Sequence, residues 1–498
     1  MNRKLLSIII TGLVIEILCI SIASLGDIKE NIPMFCFLYT ASFIVYIFAV
    51  FYILKNTEIF GKDKSNSKKI LWTIIIFSLI FRLTLLPMTP SEDVYRYLWE
   101  GKLQLNWLNP YSYPPESSSL EHLRDNFFSG INHKHLTTIY PPLTLMAFAL
   151  ADYVSHSFIS MKSTFLFFDV LSIFILIRFL RVVGGKPANV LIYAWSPLVL
   201  ISFAAKGHCD SLQIFLVILA LYLFSIRKNL KSIVSIGLAA MSKFVFIIIA
   251  PFLIPRRKLK YLIVLFTVIA LLYLPYIGAG KGLFSTLLHF GTQYHYNDSA
   301  HFLIFCLCLG SPFMSKIITS IIFCAVLLYL YINHMTLLFT KDNENSPNSC
   351  FSRHKGGTNP PLSPPQLSCT VSALCESKKQ GGFREIDDNI LKFAFLSVGT
   401  FLIFAPTVHP WYLTWIVPFL CFYHSWAWLV LTGTVVFYYF MNHNLFSSMI
   451  EYNNEWVWQE VHWLKLPEYV PFYCLLIYGW LRSGSAAKAR QNDVSAVS

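Results

Sequence analysis

The feature that most constrains this chain is a series of long apolar segments that recurs from one end to the other. Hydrophobic residues make up 55% of the 498 residues and charged residues only 13%, with a mean hydropathy of +0.56. A water-soluble protein carries roughly 25% charged residues, and about 18 consecutive apolar residues suffice for a helix to cross a bilayer. A transmembrane β-barrel would show alternating segments of about 10 residues. We therefore predict an all-α, polytopic membrane helical bundle.

The apolar segments predict about twelve membrane spans and one re-entrant hairpin. The hairpin is predicted over residues 232–254, because basic clusters flank it and Lys243 and Pro251 interrupt its apolar pattern. A break of this kind is tolerated at membrane depth only where protein or water covers it. In this arrangement Lys243 lies on the cytoplasmic side. The spans lie near 4–25, 34–54, 70–88, 164–181, 188–206, 209–226, 260–278, 313–339, 389–405, 411–424, 426–443 and 469–482.

The basic residues predict the orientation of the bundle. The net charge is 39 − 26 = +13, and the basic residues cluster in short loops, as is typical of cytoplasmic loops; nucleic acid is therefore not predicted as a partner. Five lysines from Lys55 to Lys69 follow the second span, which places the loop over residues 89–163 outside. Residues 140–154 are predicted to form a helix along the outer interface, because this keeps three basic clusters on the cytoplasmic side.

Composition also divides the chain into regions. Residues 1–340 are predicted to form the transmembrane catalytic region. Residues 341–388 are rich in Ser, Pro and Gly and lack periodicity, which predicts a disordered cytoplasmic loop. Residues 389–483 carry further spans with an external loop over 444–468, and residues 484–498 form a cytoplasmic tail.

Five polar groups fall on the external side in this topology. Charged side chains near the membrane plane are costly, so a functional role is the default interpretation. The chain has no H-E-x-x-H motif, no Walker loop and no G-x-G-x-x-G motif after a strand. No cofactor or metal site is therefore predicted, although a divalent metal ion is left open. The groups include Asp93 and Arg96, then Lys206 with His208 and Asp210, then Asp298 with His301, then His409 with Tyr412, and finally Glu451 with His462.

The residue types in these groups favour one kind of chemistry. A carboxylate can accept the proton of a hydroxyl nucleophile. Arg, Lys and His side chains can stabilise a departing phosphate. Tyr and Trp can stack on sugar faces and hold a lipid chain at the interface. Together they are typical of glycosyl transfer from a lipid-phosphate donor.

Several short motifs also occur in a characteristic order over roughly residues 90–420. They are TPSEDVYRYLWEGKLQLNWLNPYSYPP, IYPPLT, YAWSPL, GHCDSLQIF and HPWYLTW. In this order they resemble the C-type (GT-C) integral membrane glycosyltransferases, and most closely the bacterial polyprenyl-phosphate-mannose-dependent mannosyltransferases. The resemblance implies an interfacial helix after the Y-P-P motif. It also implies a catalytic acid in the first large external loop. That family usually opens this loop after the first span, so the first two spans of this chain would be an addition.

The resemblance further implies a reaction and a set of site residues. A hexose, most readily mannose, passes from a polyprenyl-phosphate donor to a glycan or lipid acceptor on the outer face of a bacterial inner or plasma membrane, with inversion. Asp93 is the predicted general base, and Glu92 is the alternative catalytic carboxylate. Predicted ligands of the donor phosphate are Arg96, Lys206, His208 and His409, and predicted substrate-binding residues are Asp210, Tyr95, Trp99, Tyr140 and Tyr412.

Several of these residues also have a purely structural interpretation. Asp93 lies where a helix is expected to begin, so it can act only as a helix cap. Arg96 follows it by three residues and can simply pair with it. The aromatic residues of the loop can form an interfacial belt.

The sequence leaves three alternative functions open for the protein as a whole. A transporter or flippase of lipid-linked sugars is one, although transporters usually show repeated halves and we find no such repeat. A polysaccharide ligase or polymerase is another, although its large polar loop tends to come late in the chain. A non-catalytic assembly scaffold would leave the external polar groups without a role.

Overall fold

The computed structural model describes residues 3–60, 64–254, 258–344, 389–442, 448–452, 455–459 and 461–497, and this part of the chain is mostly helical. The predicted helical character is therefore confirmed. The disordered loop was predicted over 341–388. Its first four residues belong to the end of helix α15, and residues 345–388 lie outside the described part of the chain. The helices are α1 (Arg3–Ala23), α2 (Ile32–Phe60), α3 (Lys64–Leu85), α4 (Glu92–Leu105), α5 (Pro142–Val154), α6 (Phe158–Val182), α7 (Leu191–Ala194), α8 (Pro197–Val199), α9 (Asp210–Ser225), α10 (Asn229–Ala240), α11 (Ala250–Leu253), α12 (Leu259–Tyr273), α13 (Gly282–Gln293), α14 (Ala300–Leu307), α15 (Pro312–Glu344), α16 (Asn389–Phe404), α17 (Val417–Leu420), α18 (Trp426–Thr434) and α19 (Leu466–Val497).

One β-hairpin departs from the all-α prediction. Strand β1 (Ser448–Tyr452) pairs antiparallel with β2 (Glu455–Gln459) within the predicted external loop over 444–468. The sequence contains a signal for it, because two asparagines at 453–454 separate short segments rich in aromatic and β-branched residues. The prediction of a purely helical chain was wrong at this point.

Four helices in the described part of the chain are long and apolar enough to cross a membrane. They coincide with four predicted spans and are Arg3–Ala23, Ile32–Asn56, Leu259–Ala279 and Pro312–Leu337. A fifth span results if Pro187–Ala194 and Pro197–Ala205, which bend by 52° at the intervening break, are counted together. Other predicted spans correspond to shorter apolar helices of 10–17 residues. The count of about twelve spans is thus not confirmed and stays a prediction.

Residues 229–253 form a broken hairpin. Helix α10 ends at Ala240, the chain turns through Met241–Lys243, and a 3-10 helix (Phe244–Ile249) leads into α11. Helix α10 packs against α9, α12 and the returning 3-10 helix. The turn reaches a polar cavity described below, where Lys243 lies together with polar groups that were predicted to be external. The prediction that separated Lys243 from those groups was wrong.

Helix α4 carries the Asp93 region and lies against α5 and α6. Its sequence favours a helix that begins at Glu92, because two acidic residues occupy the first turn, where the helix dipole favours negative charge. Its buried side chains recur at the helical spacing Val94, Tyr97, Leu98 and Gly101. A Cβ atom at Gly101 would lie 2.7 Å from the carbonyl oxygen of Phe148, so the close contact between α4 and α5 requires glycine. At 13 residues, α5 is shorter than a membrane span.

Candidate functional site

A cavity with a volume of about 1270 Å³ lies at the start of α4. Five segments meet there: the connection from α1 to α2, the start of α4, the loop over 129–141, the turn before α9, and the tip of the broken hairpin. A 3-10 helix (Pro410–Trp415) also lines the cavity. Every predicted site residue except Trp99 lines this cavity; these are Glu92, Asp93, Tyr95, Arg96, Tyr140, Lys206, His208, Asp210, His409 and Tyr412.

Asp93 is held in the cavity by groups from two other segments. Its Oδ1 accepts a hydrogen bond of 3.1 Å from the side-chain amide of Asn132, and its Oδ2 lies 3.3 Å from Nδ1 of His208. The side chain remains 22% exposed. The backbone N–H of Ser91 donates to the carbonyl oxygen of Lys206 at 2.9 Å, which ties the start of α4 to the turn that carries His208. Within the described contacts the carboxylate accepts no bond from its own helix backbone, so capping alone does not explain it.

His208 lies on a turn that requires glycine. Gly207 has a φ of +75°, and a Cβ atom there would lie 2.7 Å from Cγ of Lys162. The His208 ring is stacked on Trp411 with centroids 3.9 Å apart. Its Nδ1 is close to Asp93, but this buried nitrogen makes no hydrogen bond. The contact is thus close without being an aligned hydrogen bond.

Trp411 lies between two imidazole rings. Its other face is stacked on His409 at a centroid distance of 4.4 Å and an interplanar angle of 5°. Nδ1 of His409 forms a hydrogen bond of 2.8 Å with the hydroxyl of Tyr438. This three-ring stack fixes both histidines on the same wall of the cavity as Asp93.

Four other carboxylates that line the cavity are each paired with a cation. Asp210 accepts 2.8 Å and 2.9 Å bonds from Lys243 and from the indole N–H of Trp415, and Glu100 lies 2.6 Å from Arg96. Glu92, which is 54% exposed, pairs with Lys29, and Asp27 lies 3.6 Å from Lys206. Among the described carboxylates of the cavity, Asp93 alone faces an imidazole and an amide in place of a lysine or arginine.

The pKa values follow from these contacts. Burial favours the protonated form of Asp93, but contact with His208, the nearby ring of His409 and the Asn132 amide outweigh it, so its pKa is below the ordinary value. Glu100 differs, because burial exceeds the stabilisation by Arg96 and raises its pKa. Burial lowers the pKa of His409 to about 3. At neutral pH Asp93 is therefore ionised and His409 is uncharged.

Two predicted site residues have other roles in the structure. Trp99 packs in a small separate core with Leu103 and Leu120 and does not reach the cavity. The guanidinium of Arg96 pairs with Glu100 and also donates to the backbone carbonyls of Asn132, His133 and Leu136. Arg96 thus holds the loop that carries Asn132, and it pairs with Glu100 and not with Asp93.

Three residues of the cavity were not predicted from the sequence. Asn132 lies in a loop without a distinctive motif, and no signal identifies it. Trp411 lies inside the HPWYLTW motif, so its closeness to His409 in the sequence could have identified it. Nζ of Lys243 lies 4.2 Å from the ring centroid of Tyr412 and 4.8 Å from that of Trp415; the predicted topology had separated it from these residues.

The cavity thus combines aromatic rings and cations with one carboxylate, Asp93, that has no described lysine or arginine partner. Residues 19–256 match the family model MptA_B, described as alpha-(1->6)-mannopyranosyltransferase, N-terminal domain. The resemblance to GT-C mannosyltransferases is therefore confirmed over this segment, which contains Asp93, His208 and Lys243 but not His409. The family supports mannosyl transfer in general, and with the apolar helices it indicates a membrane protein. Neither the curated proteins nor the solved structures contain a match.

Proposed function

We propose that this protein transfers a mannose or related hexose from a polyprenyl-phosphate donor to a glycan or lipid acceptor. The observation that carries the proposal is Asp93. It is ionised and partly exposed in the cavity, and its neighbours are His208 and Asn132. Among the described carboxylates of the cavity, Asp93 is the one without a lysine or arginine partner, which leaves it available as a proton acceptor. The pairing of Glu92 with Lys29 makes Glu92 the weaker candidate for the base.

The proposed reaction is a single inverting displacement. The acceptor hydroxyl gives its proton to Asp93 as its oxygen bonds to the anomeric carbon. The bond from that carbon to the phosphate oxygen breaks on the opposite face, and its electron pair leaves with the polyprenyl phosphate. No proton donor to the leaving group is required, because the phosphate departs as a stable anion. The unpaired Nδ1 of His208 is placed to orient the acceptor hydroxyl.

The cations on the cavity wall are proposed to bind the donor phosphate. Lys206 and Lys243 both line the cavity, where Lys206 lies 3.6 Å from Asp27 and Lys243 lies 2.8 Å from Asp210. His409 is uncharged at neutral pH and would act as a hydrogen-bond donor. Arg96, which the sequence suggested for this role, already uses its guanidinium on Glu100 and three backbone carbonyls.

The proposed location follows from the same arrangement. The chain is a multi-pass protein of the bacterial inner or plasma membrane with the cavity on the outer side. The basic loop after α2 lies at the opposite end of that helix, which supports this orientation under the positive-inside rule.

The experiment uses the full-length protein in liposomes with an extract of acceptor glycans. Polyprenyl-phosphate mannose and a nucleotide-linked mannose are supplied in parallel. We expect transfer only from the lipid-linked donor, with the opposite anomeric configuration in the product. Transfer from the nucleotide sugar, or retained configuration, contradicts the mechanism, and movement of the donor across the bilayer without product favours the flippase alternative.

A further inference from the structure

A second pocket lies at the other end of the bundle from the cavity. It has a volume of about 730 Å³ and is formed where α2, α6, α16 and the segment after α17 end or begin. Helix α2 links the two sites, because Ile32 lines the cavity and Lys55 lines this pocket. Twenty-three residues of α-helix span about 35 Å, slightly more than the roughly 30 Å hydrocarbon core. The pocket therefore lies at the opposite membrane face.

The lining of this pocket is basic. It contains Lys55, Lys186, Lys392 and His424, and none of its described lining residues is acidic. Three chain segments that are distant in sequence supply the three lysines. This differs from the cavity, where each lysine that lines it lies beside a carboxylate. Burial and the charge of Lys186 both lower the pKa of His424, so these two groups are close enough to interact.

A buried amide in the pocket wall has an unused polar atom. Asn189 is 5% exposed, and its Nδ2 donates to the carbonyl oxygen of Cys421 at 3.3 Å and lies 3.1 Å from Nε2 of His424. Its Oδ1 is buried and has no hydrogen-bond partner. An unsatisfied buried acceptor destabilises the folded state. A ligand that carries a hydroxyl or amino donor would satisfy it.

We propose that this basic pocket binds a phosphate group that is attached to a hydroxyl- or amine-bearing moiety. The lysines supply positive charge for the phosphate, and Asn189 accepts a hydrogen bond from the donor group beside it. Two sources share this chemistry, an anionic phospholipid headgroup and a free phosphate compound. Basic pockets between membrane helices on the cytoplasmic side are suited to the headgroups of anionic lipids. The proposal does not depend on the transfer reaction.

The test measures thermal unfolding of the full-length protein in a neutral detergent. Short-chain phosphatidylglycerol, short-chain phosphatidylcholine and glycerol 3-phosphate are titrated separately. The pocket variant combines Lys186→Gln and Lys392→Gln. The control variant combines Lys228→Gln and Lys231→Gln, two exposed lysines just before and in the first turn of α10 that do not line the pocket. All four side chains are at the surface, so neither variant is expected to misfold.

We expect a saturable rise in Tm with phosphatidylglycerol and little response to phosphatidylcholine. At about 1 kcal/mol per lysine, loss of two charges weakens binding on the order of 30-fold in the pocket variant, and the control variant keeps the wild-type midpoint. A response to phosphatidylglycerol alone identifies the lipid headgroup as the ligand, and an equal response to glycerol 3-phosphate identifies the free compound. The proposal is overturned by equal weakening in both variants or by no saturable response to either anion.

Discussion

Asp93 and Asp298 are similar residues in very different surroundings. Each is a carboxylate beside a histidine in a segment predicted to be external. Asp298 is 1% exposed and is held at 2.5 Å by Nδ1 of His301 and at 2.6 Å by Nζ of Lys465. Asp93 is 22% exposed, accepts a single amide bond and faces a histidine that is not aligned with it. One carboxylate is fully satisfied by the protein, and the other is left with capacity to bind or react.

The difference lies in what surrounds each pair and not in residue type. Asp298 links the loop before α14 to the 3-10 helix that precedes α19, and it does not line the cavity. Burial opposes ionisation at both aspartates, and charged and hydrogen-bonding neighbours lower both pKa values. A lowered pKa therefore does not distinguish the catalytic candidate from the structural residue. Exposure to a cavity and incomplete pairing do distinguish them.

The largest expected effect is at Asp93. The substitution Asp93→Asn keeps the bond geometry near Asn132 but removes the proton acceptor, so we expect transfer to fall about 10²–10⁴-fold. Glu92→Gln is the matched control on the preceding residue and is expected to retain most of the activity, because Glu92 is exposed and paired with Lys29. Initial rates in liposomes measure both. If the control loses activity and Asp93→Asn does not, Glu92 is the base.

The corresponding change in the structural pair is Asp298→Asn. It removes the carboxylate charge that lies 2.6 Å from the buried ammonium of Lys465, and breaking a buried pair in this way costs about 3–5 kcal/mol. We expect a large loss in the free energy of unfolding, measured by denaturant titration in detergent, but rates per folded molecule within about threefold of wild type. A catalytic loss as large as that of Asp93→Asn, with unchanged stability, would contradict the distinction between the two aspartates.

A smaller effect is expected at Arg96, which supports the Asp93 site through the loop that carries Asn132. Lysine in place of arginine keeps the charge but loses the fork that reaches Glu100 and the backbone carbonyls. Loss of one charge-assisted hydrogen bond predicts a decrease in kcat of about tenfold with little change in the donor KM. Lys206→Gln is the contrast and is expected to raise the donor KM. Increased donor KM with unchanged kcat in Arg96→Lys would restore Arg96 as a phosphate ligand.

The smallest expected effect is that of mild acid. The active form of Asp93 is deprotonated and its pKa lies below the ordinary value near 4, so activity is lost only as pH falls through that lowered pKa. The stability that Asp298 contributes is lost in the same direction, because its pKa is also depressed. We expect the transfer rate to change less than about twofold between pH 7 and pH 5. A decline centred near pH 6 in the pH–rate profile would indicate control by a histidine instead.

Much of the fold was accessible to sequence analysis because its signals are local. Four of the predicted spans correspond to helices long enough to cross a membrane, since long apolar runs specify them directly. A membrane span is harder to recognise from the sequence where its helix is broken. Residues 187–205 contain a 52° bend at Trp195–Ser196, and the break in the 232–254 hairpin moves Lys243 into the cavity. The mean hydropathy of a segment hides such breaks and does not show where the tip of a broken hairpin lies.

The sequence by itself determined that this chain is a helical, membrane-type protein, and its motif order indicated a mannosyltransferase family and the segment of α4 that carries Asp93. Only the tertiary structure decided which charges pair. It assigned Arg96 to Glu100, Lys243 to Asp210 and Lys465 to Asp298, and it left Asp93 beside an unaligned histidine. The physical reason is the distance along the chain over which each kind of signal acts. Hydropathy and helix signals act over a few residues, whereas electrostatic pairing depends on distances between segments far apart in the chain, such as the 167 positions between Asp298 and Lys465.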